Sequence, residues 1–302
     1  MGRGDLEGVV QCGRELREWE VGDIVATVEM FPQLSRWELA QTLCEHLGWV
    51  SATGGYKVEA CRKLLEKLEG RGLVKLPAKR AMGKARQERV VWTDRTARQG
   101  EVVGTVGDFG GVGLEVVLSC EGKGLWEEYV ARYHYLGVKR PFGCFMRYFI
   151  ECERGLLGCI LMAGAAKSIG VRDRWIGWSE GERLRNLGWV INNSRFLIFP
   201  WVRVRNLASH VLGQLGCRVC GDWYERWGYR PVLMETFVDP RHFDGGCYKA
   251  ANWQYLGMTT GEGLVRAGKS YRTSPRKIFV RPLARGFRRL LCSDELAGEV
   301  DR

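Results

Sequence analysis

The residues best suited to chemistry are ionisable side chains embedded in apolar or aromatic sequence. Glu235 lies within PVLMETFV, which otherwise reads as an apolar strand. A carboxylate there requires a partner or has a raised pKa, because burial disfavours the charged form. His134, between two tyrosines, is a candidate general base, and Tyr135 is a candidate nucleophile or base-stacking surface. Asp173, between two arginines, is a candidate catalytic carboxylate.

Each candidate also has a structural interpretation, and the sequence leaves both open. His134 and Tyr135 fit equally well at a helix end packed with aromatic rings. Asp173 fits a surface ion pair, the commoner fate of such residues. Asp173, Glu235 and Asp239 do not have the spacing of a metal site: there is no D-x-D or H-x-x-E-H arrangement, and only four histidines occur. We therefore assign no metal ligand, and a divalent metal stays open as a cofactor.

The composition indicates a folded, basic protein. Its 302 residues are 45% hydrophobic, with a net charge of +11 and a pI near 9.2. Such charge favours a polyanionic partner, and DNA is the first candidate. No apolar run reaches the roughly 18 residues that span a membrane, and the first residues lack a signal peptide. We therefore expect a cytoplasmic protein without a membrane partner, in which the 11 cysteines are mostly buried as small apolar side chains.

Residues 20–95, after an N-terminal segment at 1–19, have the pattern of a winged helix-turn-helix domain. Ser35 and Glu38 form a capping box that opens a second helix, and a third helix is predicted over residues 57–69. LVKLP at 73–77 and VVW at 90–92 would be the strands of the wing. Residues 57–89 contain 11 Lys or Arg against four Glu, as phosphate contacts require. Candidate DNA-binding residues here are Arg62, Lys63, Lys67, Lys75, Lys79 and Arg80; a winged helix used for protein contacts is the alternative.

Residues 96–113 read as a polar, glycine-rich linker, residues 114–292 as a larger domain, and 293–302 as a flexible tail. The larger domain has the predicted order helix, hairpin, strand, helix, strand, helix, strand. This order predicts an α+β fold with a mixed sheet. It resembles the GNAT N-acyltransferase fold, in which a glycine-rich turn at a helix N-terminus holds the pyrophosphate of acyl-CoA. Here that turn is Arg205-x-x-Ala208-x-His210, without the glycines, so acyl-CoA is disfavoured as a cofactor.

Several other residues of the larger domain are candidates for contacts with nucleic acid. Asn193 and Arg195 precede a core strand, where they would cap the strand or donate to a phosphate. Tyr248 and Asn252 are predicted to share one face of a helix. The candidate phosphate contacts are Asn193, Arg195, Arg203 and Arg205, and the candidate base contacts are Trp178, Tyr248, Asn252 and Trp253. All of these residues are also consistent with an ordinary core.

Six motifs carry a further resemblance: ARYHYLG (131–137), RDRWIGW (172–178), NNSRFLIFPWV (192–202), NLASHVLG (206–213), ETFVD (235–239) and YKAANWQYLGMTTG (248–261). In these motifs the chain resembles the DruA family of Druantia anti-phage systems, which also occurs near transposons. The resemblance implies DNA-related work in defence or mobile-element handling, with a helicase or nuclease as a further partner, but no settled reaction. Glu262 is a departure, since an arginine is expected there.

Three functional hypotheses follow. The first is a DNA-binding protein that processes or modifies DNA, with Glu235, Asp173, Tyr135 and His134 as candidate catalytic residues. The second is a non-catalytic adaptor with a degenerate acyltransferase fold, which recognises DNA and recruits a helicase or nuclease. The third is an acyl-CoA-dependent N-acyltransferase. The sequence does not decide whether the protein is an enzyme.

Overall fold

A computed structural model describes residues 9–12, 14–32, 34–51, 55–78, 90–139, 141, 143–261 and 274–293. Lys79, Arg80 and Glu262 lie outside the described residues. The chain divides into two units. The smaller consists of Met1–Gln87 with Glu180–Arg185, and the larger of Glu88–Ser179 with Asn186–Arg302. No helix in the described ranges combines the length and the apolar character that crossing a membrane requires.

The smaller unit is built on three helices. The capping box predicted for the second helix is confirmed: the Ser35 hydroxyl accepts from the Glu38 amide at 3.3 Å, and the Glu38 carboxylate accepts from the Ser35 amide at 2.8 Å. Leu39, Leu43 and Leu64 are fully buried in its core. The elements are β1 (Val10–Gln11), β2 (Arg14–Glu15), α1 (Glu18–Met30), α2 (Arg36–His46) and α3 (Val58–Gly70).

The predicted wing strands do not form in the described residues. LVKLP at 73–77 and VVW at 90–92 contain no strand. The backbone of the first segment bonds to helix side chains instead of to a partner strand: the Leu76 amide donates to Glu69 at 3.2 Å, and Arg36 donates to the Pro77 carbonyl at 2.7 Å. These hydrogen bonds satisfy a backbone amide and a backbone carbonyl that would otherwise pair with a neighbouring strand. The described part of the smaller unit therefore has the three helices without the wing.

The larger unit is α+β with a mixed sheet, as the sequence predicts, and that sheet has seven strands in the described ranges. The strand order is β10-β11-β9-β7-β6-β5-β4, and among the described pairings of this sheet only β7–β9 is parallel. The strands after residue 90 are β3 (Val102–Thr105), β4 (Gly113–Val116), β5 (Phe145–Cys152), β6 (Gly155–Gly164), β7 (Val190–Ile198), β8 (Val202–Arg205), β9 (Leu233–Val238), β10 (Gln254–Met258) and β11 (Lys277–Pro282). The helices after residue 90 are α4 (Cys120–Tyr133), α5 (Gly170–Ile176), α6 (Glu180–Asn186), α7 (Leu207–Trp227), α8 (Gly246–Ala250) and α9 (Phe287–Leu291). Of these, α6 belongs to the smaller unit over residues 180–185.

The segment predicted as a linker, residues 96–113, contains ordered structure. Strand β3 pairs in parallel with β8, with Val102 opposite Val202. Just before it, the buried Glu128 carboxylate accepts from the Thr93 amide and, at 2.8 Å, from the Thr96 hydroxyl. This strand was not predictable from the local sequence because its partner lies about 100 residues further along the chain.

Two helices differ in length from their predictions. Helix α7, which the sequence predicts over residues 207–215, continues to Trp227. Helix α8 ends at Ala250, and Asn252 has a left-handed φ of 61°. Tyr248 and Asn252 therefore do not share a helix face, which corrects the prediction. A left-handed residue cannot continue a right-handed helix.

Candidate functional site

A pocket of about 490 Å³ opens in the larger unit where strands β7 and β9 part. Their parallel pairing joins residues 190–193 to residues 233–236, and both strands continue beyond it. Unpaired strand edges leave backbone donors and acceptors free for a ligand. The volume lies in the range of about 300–1,000 Å³ that is typical of small-molecule sites. The sheet topology therefore creates a cavity of suitable size at the parting of the two strands.

Two guanidinium groups line this pocket. Arg195 donates to the carbonyls of Gly137 and Ser194, at 2.9 and 2.6 Å. Burial lowers the pKa of Arg195, and the positive charge of Arg276 lowers it further. The Arg276 Nε is buried and has no hydrogen-bond partner among the described residues, and its guanidinium forms no ion pair there. Neither guanidinium thus has an ion-pair partner among the described residues, and two carboxylates, Asp239 and Asp244, also line the pocket.

Aromatic rings form part of the pocket wall. The Tyr135 ring lies 5.0 Å from His134, 4.9 Å from His242 and 6.0 Å from Phe243, measured between centroids. Tyr135 is 45% exposed and Phe243 58% exposed, so both present ring surface to a ligand. Burial raises the pKa of Tyr135. The phenol is therefore neutral near pH 7, where it donates a hydrogen bond and does not act as a phenolate nucleophile.

His134 is held in one tautomer. Its Nδ1 accepts from the Leu136 amide at 3.2 Å, so the proton of the neutral ring lies on Nε2. Burial, with a contribution from the charge of Arg195, lowers the pKa of His134 to about 4. The ring is neutral at pH 7, and its remaining nitrogen is a donor. This arrangement argues against the predicted general-base role and leaves a hydrogen-bond donor in the pocket wall.

Polar groups of adjacent strands form a further part of the wall. The Thr236 hydroxyl donates to the Asn193 carbonyl at 3.0 Å and lies 3.4 Å from the Tyr248 hydroxyl. Asn193 is only 4% exposed, yet neither its Oδ1 nor its Nδ2 has a partner among the described residues. A buried amide is normally bonded, because leaving it unpaired is costly. Both hydrogen-bonding groups of the Asn193 side chain are therefore buried in the pocket wall without a partner among the described residues.

The two predicted catalytic carboxylates lie in a buried ion network and not in the pocket wall. Arg172, which is fully buried, donates to Glu235 at 2.8 Å and to Asp173 at 2.8 and 2.9 Å. The other Glu235 oxygen accepts from the Ala166 amide at 2.8 Å. Burial raises the pKa of Glu235, and Arg172 together with that amide acts in the opposite direction. The structure brings Glu235 and Asp173 together through Arg172, which argues for a structural role.

Three of the four predicted base contacts do not line the pocket. Trp178 and Trp253 are buried, and the Trp178 indole donates to Asp173 at 3.1 Å, so neither offers a free ring face. Asn252 is exposed in the turn after α8. Tyr248 alone of the four lines the pocket, where its ring stacks on Phe279 at 5.6 Å.

Of the predicted phosphate contacts, Asn193 and Arg195 line the pocket, while Arg203 and Arg205 do not. The latter two lie on the exposed face of β8, and Arg203 is 3.7 Å from Glu101. At the start of α7, Ala208 lines the pocket, whereas His210 is exposed and bonds to Gln214. Of the two residues that replace the glycines of the GNAT turn, Ala208 is thus the one whose side chain lies in the pocket wall.

The predicted basic residues of the smaller unit lie mostly on its surface. Lys63 and Lys75 are exposed. Arg62 forms an ion pair with Glu59 at 2.9 Å, and Lys67 donates to the Val10 carbonyl at 3.0 Å.

No group of three or more His, Cys, Asp or Glu side chains converges as a metal site within the described ranges. Asp239, the third carboxylate that the sequence brought into question, accepts from Arg241 at 2.6 and 3.0 Å. These bonds hold the pKa of Asp239 well below its usual range. The carboxylate is therefore ionised and already occupied by a cation of the protein itself.

The sequence did not predict Thr236, Phe243 and Arg276 as residues of the pocket wall. It also did not predict that Arg172 neutralises Glu235. The basic run before the last strand was a usable signal for Arg276, but its place in the pocket depends on β11 pairing with β9. Arg172 could have been found by asking which cation neutralises Glu235, since a buried carboxylate requires a partner. Their separation of 63 residues hides the pairing.

Fold and site together define an α+β protein with a mixed sheet and a pocket of basic, aromatic and amide character between two parting parallel strands. The model of the DruA family, described as Druantia protein DruA, matches residues 67–272, more than half of the chain. The chain belongs to the DruA family. No curated protein matches it. Among solved structures it is similar to FeeM, an N-acyl amino acid synthase from uncultured soil microbes, with 12% identity and a TM-score of 0.32, over 56% of this chain and 90% of that one.

Proposed function

We propose that this chain is a Druantia-type defence protein that recognises DNA, and that the pocket of the larger unit holds one nucleotide of the bound strand. In this proposal the larger unit is a GNAT-like domain, since it has a mixed sheet and a strand, β8, that leads into the N-terminus of α7. The pocket lies where β7 and β9 part. The smaller unit contacts duplex DNA through α3. The proposal is one of recognition, and it assigns no reaction.

The observation that supports this function best is the guanidinium of Arg276 beside Arg195, which has no ion-pair partner among the described residues, in a wall that also presents Tyr135 and Phe243. A guanidinium is charged at every accessible pH, and two of them close together repel each other unless an anion lies between them. Phosphate is well matched to arginine, and aromatic rings stack on any base. A nucleotide supplies both groups in one molecule.

The surface of α3 supports a second contact with DNA. Lys63 and Lys67 are exposed on this helix, with Arg62 one turn from Glu59. We propose that α3 is the recognition helix of a helix-turn-helix domain and enters the major groove. Charge reversal at Arg62, Lys63 and Lys67 is expected to abolish duplex binding. If a salt titration of this triple variant matches that of the wild type, α3 does not contact DNA.

The pocket is tested by fluorescence anisotropy of a labelled single-stranded oligonucleotide with wild type and Arg276→Ala. The loss of one charge-assisted phosphate contact is expected to weaken binding by about 10- to 150-fold. The slope of log K against log salt should fall in magnitude by about 0.7, the contribution of one phosphate contact. Since Arg276 bonds to no described residue through its guanidinium, the melting temperature should not change.

Arg226→Ala is the matched control for this experiment. Arg226 is exposed near the far end of α7, where it stacks on Trp227, and its replacement removes the same charge. It follows Ala208 by five turns of the same helix, a distance of about 27 Å. If both variants lose affinity equally, the effect is one of net charge, and the pocket does not bind the strand.

A non-catalytic adaptor is favoured over a DNA-modifying enzyme by the state of the candidate catalytic groups. Glu235 and Asp173 are bound to Arg172, and the His134 ring presents a donor. An adaptor would deliver DNA to a helicase or nuclease of the defence system. Incubation of DNA with the purified chain and Mg²⁺ should leave the DNA intact and unmodified, as judged by mass spectrometry; any turnover would contradict the adaptor role.

A further inference from the structure

We propose that the side-chain amide of Asn193 reads the hydrogen-bonding edge of the nucleobase held in this pocket. The inference rests on the proposed function, since it requires a nucleotide in the cavity between β7 and β9. It goes further by naming the residue that recognises the base and the part of the base that it contacts.

The side chain of Asn193 has unused hydrogen-bonding capacity. Both polar atoms of its amide are buried without a partner among the described residues, although the side chain is only 4% exposed. The backbone carbonyl of the same residue is already bonded to the Thr236 hydroxyl. The strand thus fixes the backbone of Asn193 and leaves its side chain for a ligand.

The unused groups of Asn193 are those of an amide. Oδ1 accepts and Nδ2 donates, side by side in one plane. Nucleobases present an acceptor and a donor next to each other on their edges, so one asparagine makes two parallel hydrogen bonds to such an edge. Neither a phosphate nor an aliphatic chain offers this pair. The open groups of Asn193 therefore select a planar ligand with an adjacent donor and acceptor.

Other groups of the pocket wall match the remaining parts of a nucleotide. Arg276 supplies positive charge for a phosphate, and Tyr135 and Phe243 supply ring surface for a base. Enzymes and binding proteins that extract a base from a strand use the same combination of stacking and edge contacts. These three residues leave the base edge without a hydrogen-bond partner, and the Asn193 amide supplies one.

The test uses isothermal titration with the four deoxynucleoside 5′-monophosphates and with 2-deoxyribose 5-phosphate, which lacks a base. Asn193→Leu has a similar shape and no hydrogen-bonding groups. For the mononucleotide that wild type binds most tightly, this variant should lose about 5- to 150-fold in affinity. Its affinity for the sugar phosphate should not change. Arg276→Ala should instead weaken both ligands by the same factor.

Two further measurements separate recognition from folding. Replacing an unpaired buried amide by leucine should leave the melting temperature unchanged or raise it, so lost affinity cannot be ascribed to unfolding. With wild type, methylation of the ring edge of the preferred base should reduce affinity as the mutation does. The leucine variant should bind the methylated and unmethylated nucleotides alike, because the two changes remove one interaction.

The inference is overturned if Asn193→Leu binds the preferred mononucleotide as tightly as wild type, or if it weakens the sugar phosphate equally. The oligonucleotide experiment on Arg276 separates this failure from that of the proposed function. Strand binding that depends on Arg276 without an Asn193 effect refutes only the base contact. An Asn193 effect on free mononucleotides, without any strand binding, refutes the DNA function and assigns the pocket to a free nucleotide.

Discussion

Replacement of Glu235 by glutamine tests whether this carboxylate is structural or catalytic. Its two oxygens accept from different donors, the Arg172 guanidinium and the Ala166 amide, both at 2.8 Å. A glutamine has nearly the same shape but one acceptor oxygen, so its NH₂ group must face one of these donors. The substitution therefore removes one hydrogen bond and the negative charge beside Arg172, while the volume is conserved.

The expected loss of stability follows from the burial of the pair. Glu235 and Arg172 are both fully buried, and removing one partner of such a pair costs about 3–5 kcal/mol. Arg172 keeps Asp173 at 2.8 Å, which lowers the cost because the guanidinium retains a counter-charge. An unsatisfied buried donor alone costs about 1–3 kcal/mol. We expect the free energy of unfolding of Glu235→Gln to fall by about 2–4 kcal/mol.

The assay is urea unfolding followed by tryptophan fluorescence, with oligonucleotide binding measured on the same samples. Glu121→Gln is the matched control, because Glu121 pairs with Arg95 at 2.9 Å on the surface. An exposed pair contributes at most about 1 kcal/mol. The Glu235 variant should therefore be much less stable than the control, and both should bind the oligonucleotide with wild-type affinity at a temperature where they are folded.

The reasoning is refuted by the opposite result. If Glu235→Gln unfolds at the wild-type urea concentration and yet loses the biological activity of the defence system, the carboxylate acts in chemistry. The sequence-based hypothesis of a catalytic Glu235 would then be correct, and the ion network would not be its main role.

Three further predictions concern folding. Burial lowers the pKa of His134 to about 4, below its ordinary value near 6.5, so the unfolded chain binds a proton at higher pH than the folded chain does. The free energy of unfolding should therefore fall by up to about 3 kcal/mol as the pH drops from 6.5 to 4. His134→Phe should reduce this loss. Urea midpoints against pH measure it. Gly158→Ala should prevent folding of the larger unit, since a Cβ there would lie 2.1 Å from the Leu197 carbonyl oxygen; soluble expression and circular dichroism report this. Ser35→Ala removes the cap that bonds the Glu38 amide and should cost about 1 kcal/mol in thermal unfolding.

The sequence predicts those parts of the fold that depend on neighbouring residues. The sequence predicts a hairpin from the apolar segments FMRYFIEC (145–152) and GLLGCILMAG (155–164), and these form β5 and β6. Helix α3 begins and ends within a residue of its predicted bounds. In each case the periodicity or the turn residues lie within one short segment. The Ser35 cap is equally local, since its partner is three residues away.

Features that depend on distant partners were not predictable in the same way. Strand β3 exists because β8 pairs with it, and LVKLP forms no strand because Glu69 and Arg36 bond its backbone. A propensity cannot reveal either partner. The pattern of residues 73–77 alternates as a strand does, with Val74 and Leu76 buried, but that burial arises from packing on the helices.

The candidate site shows the same division. Asn193, Arg195, Tyr135 and Tyr248 were named from the sequence and line the pocket. Their common property is a polar or aromatic side chain in a segment that is otherwise apolar, which the sequence displays directly. Glu235 met the same criterion and instead pairs with Arg172, since a buried polar residue is recognisable from sequence while its partner is not.

The central claim is that the pocket between β7 and β9 holds a nucleotide. A crystal structure of the chain with a short single-stranded oligonucleotide tests it most directly. We predict one nucleotide in the pocket, with a phosphate oxygen within about 3 Å of the Arg276 guanidinium and the base edge at a similar distance from the Asn193 amide. A strand bound on α3 or on the exposed face of β8, with the pocket free of nucleotide, would contradict the account.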